Sequence, residues 1–219
     1  MADLALTPIR RSTSLTQDVM DRLWKAILNG ELEEGASLPE ALTATKLGVS
    51  RVPVREALVE LERQGLVEFD RNGRACVRTF TPEDGAEIIS LRAALQRMAA
   101  RLAAEKLTDA DVARLEDILA RARDTRDLTA FSALDSAFHD EIVVIARHRR
   151  LSRLWTDVRS QFELWLVRIH RRREDKQHDV RQATLQSHRE MIDVLKSRKP
   201  EVAADLMERH CSWSGYPDK

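Results

Sequence analysis

The chain has 219 residues, 43% of them apolar, which is enough for one or two buried cores and argues against disorder. Its 36 basic and 36 acidic residues cancel, so it is no polycation that coats nucleic acid by charge alone. The longest apolar run, Ile142 to Ala146, is far short of the roughly 20 residues of a bilayer-spanning helix. Met1 to Arg11 shows no apolar stretch with a cleavage site, and Cys76 and Cys211 form no disulfide framework. These features predict a cytoplasmic protein with reduced thiols and no membrane partner.

The basic residues are skewed to 29 Arg against 7 Lys. Arginine offers a planar fork for phosphates, carboxylates and guanine edges. A GC-rich genome gives the same skew, and a surface arginine often has no single partner.

Glycine divides the chain. Six of the 7 glycines lie at or before Gly85, and from Ala86 to Ser214 there is only one proline, Pro200. A stretch so free of breakers reads as consecutive helices with short links. The expectation is a small domain over residues 1–80 and a larger, all-helical one over 81–219, joined near Phe80–Asp84. Charge does not separate them: residues 1–80 hold 11 Lys+Arg and 12 Asp+Glu, the remainder 25 and 24. Any nucleic-acid site must therefore come from local placement.

In the front domain Val19, Leu23 and Ile27 recur at helical spacing, and that helix ends at Gly30. Ser37-Leu38-Pro39-Glu40 reads as a capping box opening a second helix through Leu42 to Leu47, stopped by Gly48. Ser50 caps a third, with Pro53 in its first turn and Val54, Ala57, Leu58 and Leu61 on one face, ending near Gly65. Val67 and Phe69, then Ala75 and Val77, alternate around Asn72-Gly73 as a hairpin.

Helix, helix, turn, helix, hairpin is a winged helix-turn-helix order. Arg51 and Arg55 share a face about a quarter turn from the apolar stripe, at the end such helices push into the major groove. Arg71 and Arg74 flank the hairpin turn, where a wing meets phosphates or the minor groove. The plainer alternative is a small helical domain with solvated arginines.

Gly30-Glu31-Leu32, Gly48-Val49-Ser50-Arg51-Val52-Pro53-Val54-Arg55-Glu56-Ala57-Leu58 and Leu61-Glu62-Arg63-Gln64-Gly65-Leu66-Val67 resemble the DNA-binding domain of GntR-family bacterial transcription regulators. The resemblance implies that Ser50, Arg51, Pro53 and Arg55 start the recognition helix, and that Gly73 and Arg74 lie in the wing. Val52 stands where threonine is more usual, and Ala41 where some members have a DNA-contacting arginine.

Behind the link, Thr81-Pro82-Glu83-Asp84 opens a helix with Ile88, Leu91, Leu95, Met98 and Leu102 in period. Thr108-Asp109-Ala110-Asp111 caps the next, with Val112, Leu115, Ile118 and Leu119. Four more stripes follow: Phe131, Leu134, Phe138, Ile142, Ile145; then Leu151, Leu154, Val158, Phe162, Trp165, Ile169; then Leu185, Ile192, Leu195; and, after Pro200, Val202, Ala203, Leu206, Met207. Six amphipathic helices with short links predict an antiparallel bundle, so the fold class is mainly α.

Four ligand-type residues fall on the inner sides of these helices. Asp135 and His139 are spaced i, i+4 and point the same way. His188 and His210 lie about 11 residues to either side of Lys199-Pro200, so an antiparallel hairpin brings them level. Three imidazoles and one carboxylate satisfy one another best through a divalent cation, and this set suits zinc, nickel, manganese or iron. Separate core histidines with backbone partners are the alternative. His148, His170 and His178 sit beside charged residues and read as exposed.

Arg92, Asp135-x-x-Phe138-His139, His188 and the terminal helix with His210 resemble the FCD domain of the FadR-type branch of GntR regulators, over about residues 82–212. The resemblance implies a helical effector-binding domain with all four metal positions filled. It also implies an organic acid as effector, its carboxylate on the metal or an arginine, for which Arg92 is the candidate. Gln96 stands where a glutamate commonly follows, and the tail after His210 is short.

The expectation is a metabolite-responsive regulator, most often a repressor in such a family, that binds a near-palindromic DNA operator as a homodimer. Two alternatives stand beside it. One is a metal-dependent hydrolase on the bundle, against which the sequence shows no general base paired with the ligands and no Glu-x-x-His pair. The other is a regulator that senses the metal itself.

Overall fold

The computed structural model of the chain describes residues 13–171 and 177–212, side chains excepted at 13–14, 128–129, 166–171 and 177–180. The secretion-signal reading of Met1–Arg11 and the side chains of Ile169, His170 and His178 lie outside the described residues. The chain divides into two compact units between Thr79 and Phe80.

In the first unit, α1 (Thr13–Leu28) and α2 (Glu40–Leu47) pack on α3 (Arg51–Arg63). Val19, Leu23 and Ile27 bury against a core that includes Val54, Ala57, Leu58 and Leu61, all of them the expected apolar positions. Gly48 ends α2 at φ +66° in the left-handed region, where a side chain would be strained. Strands β1 (Val67–Phe69) and β2 (Ala75–Val77) pair antiparallel, with Val67 opposite Val77. Asp70 Oδ1 accepts from the backbone N–H groups of Asn72 and Arg74, and Gly73 takes φ +72°, which sets the turn.

Two capping expectations fail here. Ser50 holds the N-cap position of α3, but its side chain makes no cap bond. Ser37 does not cap α2: the helix begins at Glu40, Pro39 is its N-cap, and no side chain bonds the first turn. Ser37 instead forms a β-bridge with Cys76, and the Leu38 N–H donates to Ala75 O. The sheet edge takes that backbone before the helix can, and buries Leu38.

The second unit contains α4 (Pro82–Lys106), α5 (Asp109–Asp124), α6 (Leu128–Ile145), α7 (Arg149–Arg171), α8 (Gln177–Lys196) and α9 (Pro200–Cys211). Thr81 with Asp84, and Thr108 with Asp111, form complete capping boxes. Helix α4 is central: it packs on α6, α7, α8 and α9, most extensively on α9. The predicted stripe of α4 is only in part its buried face: Ile88 is buried, and Leu95 and Leu102 pack half-buried against the core. Leu91 and Met98 are exposed, while Ile88, Arg92, Gln96, Ala99 and Ala103 are buried. Small residues let neighbouring helices approach closely, and that approach rotates the larger apolar residues outward. At Gly85 an added Cβ would stand 2.2 Å from Trp165 Nε1 of α7. Leu154 and Val202, expected in the core, are also exposed, whereas Trp155 is buried and donates from Nε1 to Asp140 Oδ1 at 2.7 Å. His148 is half-buried rather than exposed, because its Nδ1 accepts from the Leu151 N–H and so caps α7. Among the described residues no helix is long and apolar enough to cross a membrane.

Candidate functional site

The first candidate surface lies at the start of α3. Arg51 and Arg55 have 68% and 74% of their side chains exposed. Glu40, at the start of α2, faces both: its Oε2 lies 3.3 Å from Arg51 Nη2 and its Oε1 3.9 Å from Arg55 Nε. The sequence pattern read Glu40 as part of a capping box and not as a partner of these arginines, because the pairing joins two helices. Ser50 is exposed and precedes α3 without a side-chain cap. Pro53 is buried, so it serves to start and seat the helix rather than to touch a ligand. Gly73 and Arg74 are exposed at the hairpin turn.

The second candidate is a histidine centre inside the helical unit. His139 from α6, His188 from α8 and His210 from α9 bring one ring nitrogen each to within 4.8 Å of one another. His139 and His188 are 1% and 3% exposed. The hairpin at Pro200 levels His188 with His210, as the spacing implied. Ion pairs from Arg97 to Asp205 and Glu208, and from Arg101 to Glu201, tie α9 to α4 and hold His210 in register.

The hydrogen bonds around the centre orient each ring. Gln96 Oε1 lies 3.4 Å from His139 Nδ1, and Arg92 Nη2 lies 2.8 Å from His139 Nε2. Arginine can only donate, so Nε2 is the acceptor and Nδ1 carries the proton. Ser187 Oγ bonds His210 Nδ1 at 2.8 Å, which leaves His210 Nε2 facing His139 Nε2 at 3.2 Å. His188 stacks on Phe138, with ring centroids 3.9 Å apart. Among the described residues its buried Nε2 has no hydrogen-bond partner, although Asp135 Oδ1 is 3.4 Å away.

Burial keeps these rings neutral. It pushes His188 and His210 down to about 3, helped by the Arg92 charge, and holds His139 well below its usual range. A neutral imidazole is the form that ligates a metal. Donors on one ion at bonds of about 2.0–2.1 Å stand about 3–4 Å apart. The 3.2 Å pair meets this, and the outer limit of 4.8 Å needs a small inward shift. The three imidazoles therefore fit a divalent cation. Asp135 is placed beside His188, not within the histidine cluster itself.

Sequence reasoning missed Ser187 and noted Gln96 only as a departure from the family pattern, because a lone polar residue on a helix carries no signal of the ring it will hold. It also missed Arg159 of α7, which lies between Asp140 and Glu163, at 3.0 and 2.9 Å. Burial raises both of these acids, and Asp135 adds to the rise at Glu163.

Two family models match the chain. "Bacterial regulatory proteins, gntR family" covers residues 15–77 and "FCD domain" covers residues 87–212. The chain is 32% identical over 196 residues, 89% of itself and 80% of its relative, to an uncharacterised HTH-type transcriptional regulator in an unstable DNA locus of Streptomyces ambofaciens. It is 28% identical over 200 residues, 90% of itself and 86% of its relative, to the "Probable D-xylose utilization operon transcriptional repressor" of Paenarthrobacter nicotinovorans. Its fold is shared with E. coli McbR/YncC at a TM-score of 0.76 and 23% identity, covering 90% of this chain and 95% of that one. The winged helix-turn-helix unit, the six-helix unit behind it and these matches agree: the chain belongs to the GntR family of bacterial transcription regulators, with a C-terminal FCD domain, and is a regulator rather than an enzyme.

Proposed function

We propose that this regulator binds a near-palindromic DNA operator as a cytoplasmic homodimer and represses transcription until an organic acid acts at a divalent cation in the helical unit. The observation that carries the reading is the convergence of three neutral imidazoles from three helices, two of them buried and His210 half-buried. We assign His139, His188 and His210 as ligands. Asp135, one turn before His139 and 3.4 Å from His188, is the fourth. Zinc, nickel, manganese and iron all accept this donor set. Four protein ligands leave positions for a carboxylate on a six-coordinate ion, and Arg92 supplies a second contact to that acid.

On the DNA side, Arg51 and Arg55 read base edges, Ser50 and Arg74 meet the backbone, and Gly73 shapes the wing. The exposure of both arginines supports this. One such helix reads only a few base pairs, so two-fold symmetry supplies the rest of the site. Repression is inferred from the Paenarthrobacter relative, a probable transcriptional repressor of a D-xylose utilization operon.

The test is operator binding, on a site selected from random DNA, by zinc-loaded and chelated protein with and without a panel of organic acids. Release that needs both zinc and an acid is expected. Release by zinc alone makes the metal the signal, and binding indifferent to both overturns the reading.

A further inference from the structure

Arg92 rises from α4 into the middle of the histidine centre and is 2% exposed. Its Nη2 is 2.8 Å from His139 Nε2, and its guanidinium carbon lies 4.1 Å over the ring of Phe162. Gln96 holds the opposite nitrogen of His139, at 3.4 Å. The Nε2 lone pair is therefore the one that points inward, and a single lone pair takes one donor or one cation. His210 Nε2 stands 3.2 Å from that same atom, at the separation of two donors to one ion. The guanidinium thus bonds the nitrogen a cation would need. Its charge also bears on all three rings, where it helps to keep them unprotonated. A dication entering the centre meets that same charge at closer to full strength, because water is excluded.

We propose that Arg92 is a resident latch that competes with the divalent cation for His139 Nε2. The cation binds as the guanidinium leaves that nitrogen. The inference rests on reading the histidine centre as a metal site. A guanidinium that gives up its bond to His139 in a buried centre loses that hydrogen bond, and an acceptor offered in exchange offsets the loss. A carboxylate is the group its planar fork matches. Cation and acid then bind with positive coupling, and each raises the affinity of the other by the same factor.

The test measures zinc affinity of the full chain by competition with a chromogenic chelator. Arg92→Met keeps most of the side-chain length and removes the charge and the donor. It binds zinc about 10- to 100-fold more tightly than wild type. A second measurement reads wild type directly: nitrogen-edited NMR of its arginine guanidinium groups. A protected signal, identified by its loss in Arg92→Lys, is present without zinc and shifts or vanishes with it. Zinc binding to Arg92→Met that is equal to or weaker than wild type overturns the latch, as does a guanidinium signal that ignores bound zinc. If folded wild type and Arg92→Met both fail to bind zinc, the metal reading itself is wrong and the latch falls with it.

Discussion

Gln96 grips His139 at two points: its side-chain oxygen lies 3.4 Å from Nδ1, and its amide nitrogen donates to the main-chain oxygen of the same histidine, also at 3.4 Å. The pair fixes both the tautomer and the ring direction, as outer partners of ligating histidines do. Gln96→Leu should weaken zinc binding by about 10- to 100-fold. Gln96→Glu keeps an acceptor for Nδ1 and should hold the affinity near wild type. Equal zinc affinities for the leucine variant and wild type would show that this grip is not used.

The buried histidines make the metal-free protein acid-sensitive. His188 is pushed from 6.5 to about 3, first by burial and then by the Arg92 charge. The unfolded chain takes up the proton near 6.5 and the folded chain does not. Its contribution is thus intact above that pH and is lost as pH falls from 6.5 toward about 3. The loss is about 1.4 kcal/mol per pH unit for one fully linked group. Asp140 and Glu163, acids raised mainly by burial, act in the opposite direction below neutrality. The readout is therefore a difference. Urea unfolding of chelated wild type should steepen in pH dependence between pH 6.5 and 5 relative to His188→Gln. Parallel curves would show that His188 is not held neutral.

Gly85 should resist the substitution that usually strengthens a helix. Gly→Ala in a helix interior ordinarily stabilises by about 1 kcal/mol. Here the added Cβ would meet the Trp165 indole at 2.2 Å. Overpacking of this kind costs about 1–3 kcal/mol, so the net effect of Gly85→Ala is a loss. Denaturant midpoints of the two proteins decide the sign, and a higher midpoint for the variant would contradict the close approach of α4 and α7.

Glu40 governs two exposed arginines at once. Arg51→Ala should lose about 1–3 kcal/mol on the selected operator and relax preference near the affected base. Glu40→Gln removes a negative charge and unties both forks. It should bind scrambled DNA more tightly and lower the ratio of specific to nonspecific binding. Anisotropy titrations on both DNAs at one salt concentration test this, and an unchanged ratio would mean that Glu40 leaves the arginines' aim unaltered.

Helix order, the hairpin and the level of His188 with His210 were legible because each rests on local signals: periodicity, glycine stops, capping boxes and a proline turn. The buried face of α4 was legible only in part. Leu91 and Met98 keep a regular period, yet alanines, Arg92 and Gln96 face inward, because close helix packing and a polar centre outweigh side-chain size. Ser37 misled for a related reason: a β-bridge to Cys76, distant in sequence, claimed the backbone that a capping motif seemed to own. The histidines were readable as a convergent set, but the partners that orient them, Gln96 and Ser187, come from other helices and are visible only once those helices pack.

Metal content tests the central claim most directly. Wild type, refolded with excess zinc, nickel or manganese and then dialysed, should retain about one ion per chain, and His188→Ala far less while its winged unit stays folded. A folded wild type that retains none of these ions would make His139, His188 and His210 ordinary core histidines.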